Sequence, residues 1–210
     1  MYEIFVGLDT VRVYIDDLLH VTKGSWTEHL TVLEVMFTRH QKDGLKVNAR
    51  KSCFGAQKFD YLVYHVTRDG FMPIPEKFEA IQALSAPKTR KKLRQFISMV
   101  NVYRDMWQKR SELLDPLTAL TSKNVKYDWK DEHKNCFDAI KRVIGREVLL
   151  AYPDFNAPFE IHTDASKLQL GAVISQKGKP IAFYSQKMNS AQHNYTTTEK
   201  ELLSIVATLK

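Results

Sequence analysis

Two adjacent carboxylates interrupt an alternating apolar segment near the start of the chain. Valine and isoleucine alternate with other residues over positions 11–15, Asp16 and Asp17 follow, and apolar residues resume at once. A period of two indicates a β-strand and aspartate favours bends, so residues 11–21 are predicted to form a β-hairpin. Alternate strand residues face opposite sides, so Tyr14 and Asp16 are expected to share a face, with Asp17 at the bend.

This acidic pair has a chemical interpretation and a structural one. Neighbouring carboxylates repel each other, and a divalent cation removes that cost. Mg²⁺ prefers oxygen ligands, and sites for phosphoryl transfer hold such ions between carboxylates. The expected strand face favours Asp16 as the stronger ligand. The structural interpretation is that Asp16-Asp17 is simply good turn chemistry.

Periodicity elsewhere predicts a mixed helical and stranded chain. Helices are predicted from residue 26 to the stop at Gly44, from 75 to about 84, from 89 to about 110, over 131–144, and from 196 to 210. Strands are predicted at 45–47, 59–66, 159–165, 170–176 and 180–185. The last three strands and the closing helix have the pattern of a β-meander followed by a helix.

The segment from 89 to 110 combines an apolar stripe with a cationic side. Leu93, Phe96, Val100 and Trp107 recur at helical spacing, and basic residues lie largely off that stripe. The chain carries a formal charge of +7, which is compatible with a polyanionic partner. The cationic side is either a surface for phosphates or an ordinary solvated face, and the pattern alone leaves both open.

The acidic pair is the first of several short motifs along the chain. The series is Tyr14-Ile15-Asp16-Asp17-Leu18-Leu19, Leu45-Lys46-Val47-Asn48, Pro87-Lys88-Thr89, Tyr103-Arg104-Asp105-Met106-Trp107, Thr163-Asp164-Ala165-Ser166 and Thr197-Thr198-Glu199-Lys200-Glu201-Leu202-Leu203. In this order the motifs resemble the Pol polyprotein of gypsy-type long-terminal-repeat retrotransposons. A collinear series over nearly the whole chain is far more specific than any one motif.

The resemblance implies an α+β fold in three parts. Residues 1–72 resemble the carboxyl-terminal part of a reverse transcriptase palm, with its β-hairpin and helix. Residues 73–122 resemble the helical thumb, and 125–210 the amino-terminal half of a ribonuclease H-like domain, a β-meander plus helix. The implied activities are RNA-directed DNA synthesis and hydrolysis of the RNA strand of RNA/DNA hybrids.

The same resemblance assigns site residues. Asp16 and Asp17 correspond to polymerase carboxylates, and Asp164 and Glu201 to the first two ribonuclease H carboxylates. All four are implied to be catalytic metal ligands for Mg²⁺, with Mn²⁺ as a substitute. Contacts with nucleic acid are implied for Tyr14, Tyr61, Arg90, Lys91, Arg94 and Arg104.

Partners and location follow from the resemblance in the same way. It implies binding of an RNA/DNA hybrid and of a template-primer duplex, with dNTP used only by the complete enzyme. No membrane is expected, because the sequence has no run of roughly 18 apolar residues. The expected location is intracellular, in the cytoplasm or an element-encoded particle, without secretion. The fingers, an upstream palm aspartate and later ribonuclease H acids are expected to lie outside this chain, which would leave it inactive alone.

Several alternatives accompany these assignments. Thr198 to Glu201 also has the form of a capping box, so Glu201 could serve helix stability, and Glu199 is a competing acid on that helix. Val63 stands where the family usually has glycine, and Ile74 replaces a usual aspartate N-cap before Pro75. Such departures keep open a non-catalytic nucleic-acid-binding remnant or a domesticated interaction protein.

Overall fold

A computed structural model describes residues 2–22, 24–144, 149–166 and 168–210. The helices are α1 (Trp26–Lys42), α2 (Pro75–Gln82), α3 (Arg90–Asn101), α4 (Arg110–Ala119), α5 (Asp131–Ile144) and α6 (Thr197–Thr208). The strands are β1 (Val11–Tyr14), β2 (Asp17–His20), β3 (Phe59–Tyr61), β4 (Tyr64–Val66), β5 (Phe71–Pro73), β6 (Glu160–Ala165), β7 (Gln169–Gln176) and β8 (Lys179–Lys187). The chain is an α+β protein with two compact units, residues 1–56 and 57–210.

The first unit is a hairpin packed on a helix. Strands β1 and β2 pair antiparallel, and a small core joins them to α1. Ser25 and Glu28 form a reciprocal capping box that starts α1 at Trp26, where the helix is predicted to begin. The strand predicted at 45–47 is wrong, because those residues lie outside any strand.

Burial along α1 does not follow the apolar character of its residues. Met36 and His40 are buried, whereas Leu30 and Phe37 are 44% and 40% exposed. His40 remains buried because its Nδ1 contacts the Met36 carbonyl oxygen at 2.8 Å and its ring lies against Phe5. Burial of an apolar residue therefore cannot be inferred from its spacing alone.

Within the second unit, one three-stranded antiparallel sheet and helices α2 to α5 surround an apolar core. The sheet has the order β3-β4-β5. The core includes residues of α2, α3, α4 and α5 together with Leu150, and partly buried residues of β4, β5 and β8 pack against it. Burial of this shared core is the main force that holds the helices together.

The long helix predicted from 89 to about 110 is wrong in its second half. α3 ends at Asn101, a short 3₁₀ turn follows at Arg104–Met106, and α4 begins at Arg110 after Lys109 at φ +54°. The predicted apolar stripe is nevertheless buried, because Tyr103 and Trp107 enter the same core from the turn. The sequence pattern did not predict α4 as a separate helix.

The β-meander and its closing helix form as expected. β6, β7 and β8 pair antiparallel in that order, and α6 packs on β6 and β7. The Ser204 hydroxyl of α6 is fully buried and donates to the carbonyl oxygens of Gly171 at 3.1 Å and Asp164 at 3.4 Å. These hydrogen bonds fix the position of α6 along the sheet.

Two departures from the family pattern are accommodated locally. The positive φ in the β3–β4 loop, +56°, belongs to Leu62 and not to Val63, and Val63 packs against the core. Ile74 precedes α2 without a side-chain cap, but it is buried and Pro75 occupies the first turn. Burial of Ile74, worth about 2 kcal/mol, offsets a cap worth about 1 kcal/mol.

No helix in the described parts of the chain is both long and apolar enough to cross a membrane.

Candidate functional site

The acidic hairpin presents its carboxylates on an exposed, strained loop. Tyr14 pairs with Asp17, so the two-residue loop is Ile15-Asp16. Ile15 has φ +53° and is 77% exposed, a costly backbone region for a β-branched side chain. Strain of this kind concentrates at functional sites. Asp16 and Asp17, which follow Ile15, are both exposed to solvent.

The expected geometry of this loop needs correction. Asp17 begins β2 directly opposite Tyr14, and directly opposite residues share a face of a hairpin. Asp16 lies in the loop, where strand alternation no longer applies. Alternation therefore gives no reason to favour Asp16 over Asp17 as a ligand, although both residues stay predicted ligands.

The second acidic pair lies where α6 meets the meander. Asp164 is an exposed residue of β6, and its carbonyl oxygen accepts from Ser204 at 3.4 Å. Glu201 is exposed and lies three residues before Ser204, and residues three apart on a helix are surface neighbours. The fold thus places the Glu201 position one helical turn from the segment of β6 that carries Asp164.

Glu199, not Glu201, is the capping glutamate of α6. The Glu199 carboxylate accepts from the Thr196 amide at 2.7 Å and from the Thr196 hydroxyl at 2.9 Å. These hydrogen bonds, the amide one first, lower the pKa of Glu199. The capping box therefore begins at Thr196 and leaves Glu201 free of that role.

The donor set of both acidic pairs suits a hard divalent cation but is small. Among the described residues, Asp16, Asp17, Asp164 and Glu201 form no ion pair. Over the same residues no group of three or more His, Cys, Asp or Glu side chains could hold a metal. Each pair therefore offers two carboxylates, which fits part of a Mg²⁺ coordination shell.

Two of the arginines assigned to nucleic acid have structural partners. Arg94 Nη2 donates to the Thr121 carbonyl at 2.6 Å. Arg90 Nε donates to the Leu120 carbonyl at 3.3 Å, and Arg90 Nη2 donates to Val125. Both guanidinium groups therefore fasten the segment after α4 to α3, which weakens the expectation that they contact phosphates.

Lysines supply the available charge at the start of α3. A groove of about 860 Å³ is lined by Lys88, Lys91 and Lys92. Arg90, Arg94 and several apolar residues line the same groove. The three lysines are exposed, and no acidic residue is among the described residues that line the groove. We call this surface the lysine groove, and the role of Lys91 in binding nucleic acid stays a prediction.

The chain is similar to a known protein family and to curated transposon proteins. Residues 129–210 match the family described as an RNase H-like domain found in reverse transcriptase. The chain is 37% identical over 195 residues to the retrovirus-related Pol polyprotein from transposon 297 of Drosophila melanogaster. It is 34% identical over 205 residues to the transposon Tf2-3 polyprotein of Schizosaccharomyces pombe.

The chain is related to the Pol polyproteins of gypsy-type retrotransposons. These alignments cover 92% and 95% of the chain but only 18% and 15% of the respective relatives. The chain therefore spans less than a fifth of the length of these polyproteins.

Solved structures agree with the Pol relationship. The foamy viral protease-reverse transcriptase in complex with RNA/DNA hybrid matches 99% of the chain with a TM-score of 0.87 and 26% identity, over 29% of its own length. A second foamy viral structure, with double-stranded DNA, matches 99% of the chain with a TM-score of 0.88 and 26% identity, over 37% of its own length.

The remaining residues predicted to contact nucleic acid in this Pol-related chain lie on three different elements. Tyr14 is 52% exposed on the hairpin of the first unit. In the second unit Tyr61 is half-buried on β3, opposite Tyr64. Arg104 lies beyond the end of α3 and is exposed beside Asp105, with Nε 3.5 Å from Oδ1. Roles in binding nucleic acid stay predictions for all three.

A polar cluster between α4 and the meander was not predicted. The Gln169 side-chain oxygen accepts from the Glu112 amide at 3.0 Å and from the Ser185 hydroxyl at 3.1 Å. Ser185 also accepts from the Ser111 amide at 2.9 Å, so the start of α4 is held against β7 and β8. Buried Gln169 and Ser185 lie on strands, and only their tertiary partners distinguish them from ordinary strand residues.

Proposed function

We propose that the chain forms part of an RNA-directed DNA polymerase and ribonuclease H that holds an RNA/DNA duplex. The observation that carries this proposal is the contact of α6 with β6, where Ser204 donates to the Asp164 carbonyl, within a segment that matches an RNase H-like family. Support comes from the foamy viral relatives, whose structures contain RNA/DNA hybrid or double-stranded DNA.

Each acidic pair has a defined part in this proposal. Asp164 and Glu201 hold the centre that hydrolyses RNA, and Asp16 and Asp17 hold the centre that extends DNA. Mg²⁺ held by either pair would supply activation of the attacking oxygen and stabilisation of the leaving one. In each pair the two carboxylates would hold the metal, and Asp16 and Asp17 at the tip of the hairpin are exposed to solvent.

Both centres need oxygen ligands beyond these four carboxylates. A two-metal site depends on accurate positioning by several groups, and each pair supplies two. The chain alone is therefore expected neither to synthesise DNA nor to cut RNA. Incorporation of nucleotides by the chain with Mg²⁺, abolished in Asp16→Asn, would contradict this.

The lysine groove is proposed to contact the phosphates of the duplex. Lysines release counterions when they neutralise phosphates, so replacing Lys88, Lys91 and Lys92 together with Gln should weaken hybrid binding at low salt. The slope of log affinity against log salt should fall by about 0.9 for each phosphate that the variant no longer neutralises. Fluorescence anisotropy with a labelled hybrid at several salt concentrations measures both quantities.

A matched control separates this groove from overall charge. Gln at the exposed Lys134, Lys177 and Lys179 lowers the net charge equally and should leave affinity and slope nearly unchanged. If both triple variants bind alike, the groove has no special role. Arg90→Gln and Arg94→Gln are poor tests because they remove hydrogen bonds that hold the segment after α4 in place.

A further inference from the structure

Three aromatic rings form a continuous stack between β2 and α1 in the first unit. The ring of His20 lies parallel to that of His29, with centroids 4.4 Å apart and planes 6° apart. The ring of Trp26 also stacks on His29, with centroids 5.2 Å apart and planes 18° apart. Thr22 Oγ1 lies 3.0 Å from His29 Nδ1 and fixes the orientation of that ring.

The environment of His20 suits only the neutral ring. Both of its nitrogens are buried and lack a hydrogen-bond partner among the described residues. A charged imidazole in that place would lose its hydration and lie face to face with another histidine. The two parallel rings also cannot direct their lone pairs at one metal ion, since those pairs lie in parallel planes.

We propose that stacking of His20, His29 and Trp26 holds the acidic hairpin against α1 and is lost on protonation. The stack is closed when His20 is neutral and opens when His20 takes up a proton. The stack consists of His20, Trp26 and His29 and includes neither Asp16 nor Asp17, so the proposal does not depend on metal binding by the hairpin.

The groups around His20 offer little compensation for a charge. Val11 lies opposite it on β1, and the His29 ring of α1 stacks on it, while Trp26 and Thr22 contact His29. The nearby carboxylate of Glu28 already accepts from the Ser25 amide at 2.9 Å. Arg12 donates to backbone carbonyls, at 2.6 Å in the case of Asp9.

His20 and not His29 is the ring that opens the stack. The Nδ1 atom of His29 has the Thr22 hydroxyl as a hydrogen-bond partner at 3.0 Å. His20 has no such support, and its own pKa is lowered, first by burial and then by the positive charge that His29 can carry.

The sign of the pH effect follows from that lowered pKa. The unfolded chain takes up a proton on His20 near pH 6.5, whereas the folded chain does so only at lower pH. The stabilisation from the closed stack is therefore complete above about pH 6.5. It is lost progressively as pH falls below that value.

Amide hydrogen exchange on the full chain tests the proposal. The Val21 amide donates to the Thr10 carbonyl at 3.0 Å, and its protection factor reports opening of the hairpin next to the stack. Protection in the wild type should fall severalfold between pH 7.5 and pH 5.5. His20→Phe keeps a stacking ring without a titrating nitrogen, so its protection should stay constant.

Two further measurements make the outcome decisive. His162→Gln, at an exposed histidine of β6, should behave as the wild type. A fall in His20→Phe equal to that of the wild type, or constant protection in the wild type, overturns the proposal. If His20→Phe does not fold, NMR titration of the wild-type His20 ring decides, and a midpoint at or above about 6.5 is contrary to the proposal.

Discussion

Replacing Asp164 with Asn is expected to lower cleavage of the RNA strand of a hybrid by at least about 100-fold, more than outer-shell partners of a metal contribute. The assay requires the chain extended to the length of its polyprotein relatives, because Asp164 and Glu201 alone are two ligands. Glu201→Gln should cost about as much, and the double variant little more. Ligands of one centre act as a unit, so their effects do not add.

Glu199→Gln is the matched control on the same helix. Glu199 holds the Thr196 amide and hydroxyl, so its replacement should weaken the start of α6 and leave the cleavage rate nearly unchanged. Loss of cleavage in Glu199→Gln with full activity in Glu201→Gln would reverse the assignment. In the chain as it stands, Mg²⁺ should shift the amide resonance of Asp164, and Asp164→Asn and Glu201→Gln should remove that shift.

The sequence predicts elements well where local pattern and tertiary packing agree. The meander 159–185 alternates and is separated by turns, and its strands form within a few residues of the predicted bounds. The helix break after Asn101 is different, because Tyr103, Met106 and Trp107 continue an apolar stripe through a 3₁₀ turn. Spacing alone cannot distinguish a continuous helix from two helices that enter one core.

The candidate site could be predicted in residue type but not in geometry. The acidic pair was evident, yet its loop lies one residue earlier than alternation implied, because Ile15 accepts a positive φ. Arg90 and Arg94 appeared free because their carbonyl partners lie 27 to 35 residues away in sequence. Long-range hydrogen bonds of this kind leave no local sequence signal.

Hydrogen bonds join the β4–β5 turn of the second unit to the segment that contains Leu150, a residue of the shared core. Leu150 is 1% exposed and exchanges backbone hydrogen bonds with Phe71, at 2.9 Å and 3.0 Å. The Tyr152 hydroxyl donates to the carbonyl oxygens of Thr67 and Gly70 in the β4–β5 turn. This bridge ties the small sheet to the segment that leads into the meander.

Gly70→Ala is expected to destabilise the second unit by about 3 kcal/mol, the sum of overpacking and an unfavourable backbone region. Gly70 has φ +154°, and a Cβ there would lie 2.1 Å from the Leu150 carbonyl oxygen. That oxygen accepts from the Phe71 amide, so the bridge must break to admit a methyl group. At roughly 2–4 °C per kcal/mol, thermal unfolding should shift by about 6–12 °C.

Gly178→Ala is a control that separates two contributions to the loss of stability. One is the contact of a Cβ at Gly70 with the Leu150 carbonyl, and the other is the positive φ angle. Gly178 has φ +73° in the β7–β8 turn, and no atom lies within 4 Å of an added Cβ. Its replacement should therefore cost only about 1 kcal/mol, from the backbone angle alone. Equal destabilisation in the two variants would show that the Leu150 carbonyl does not lie against Gly70. A destabilisation at Gly70 about three times that at Gly178 would locate the difference in the bridge between Phe71 and Leu150.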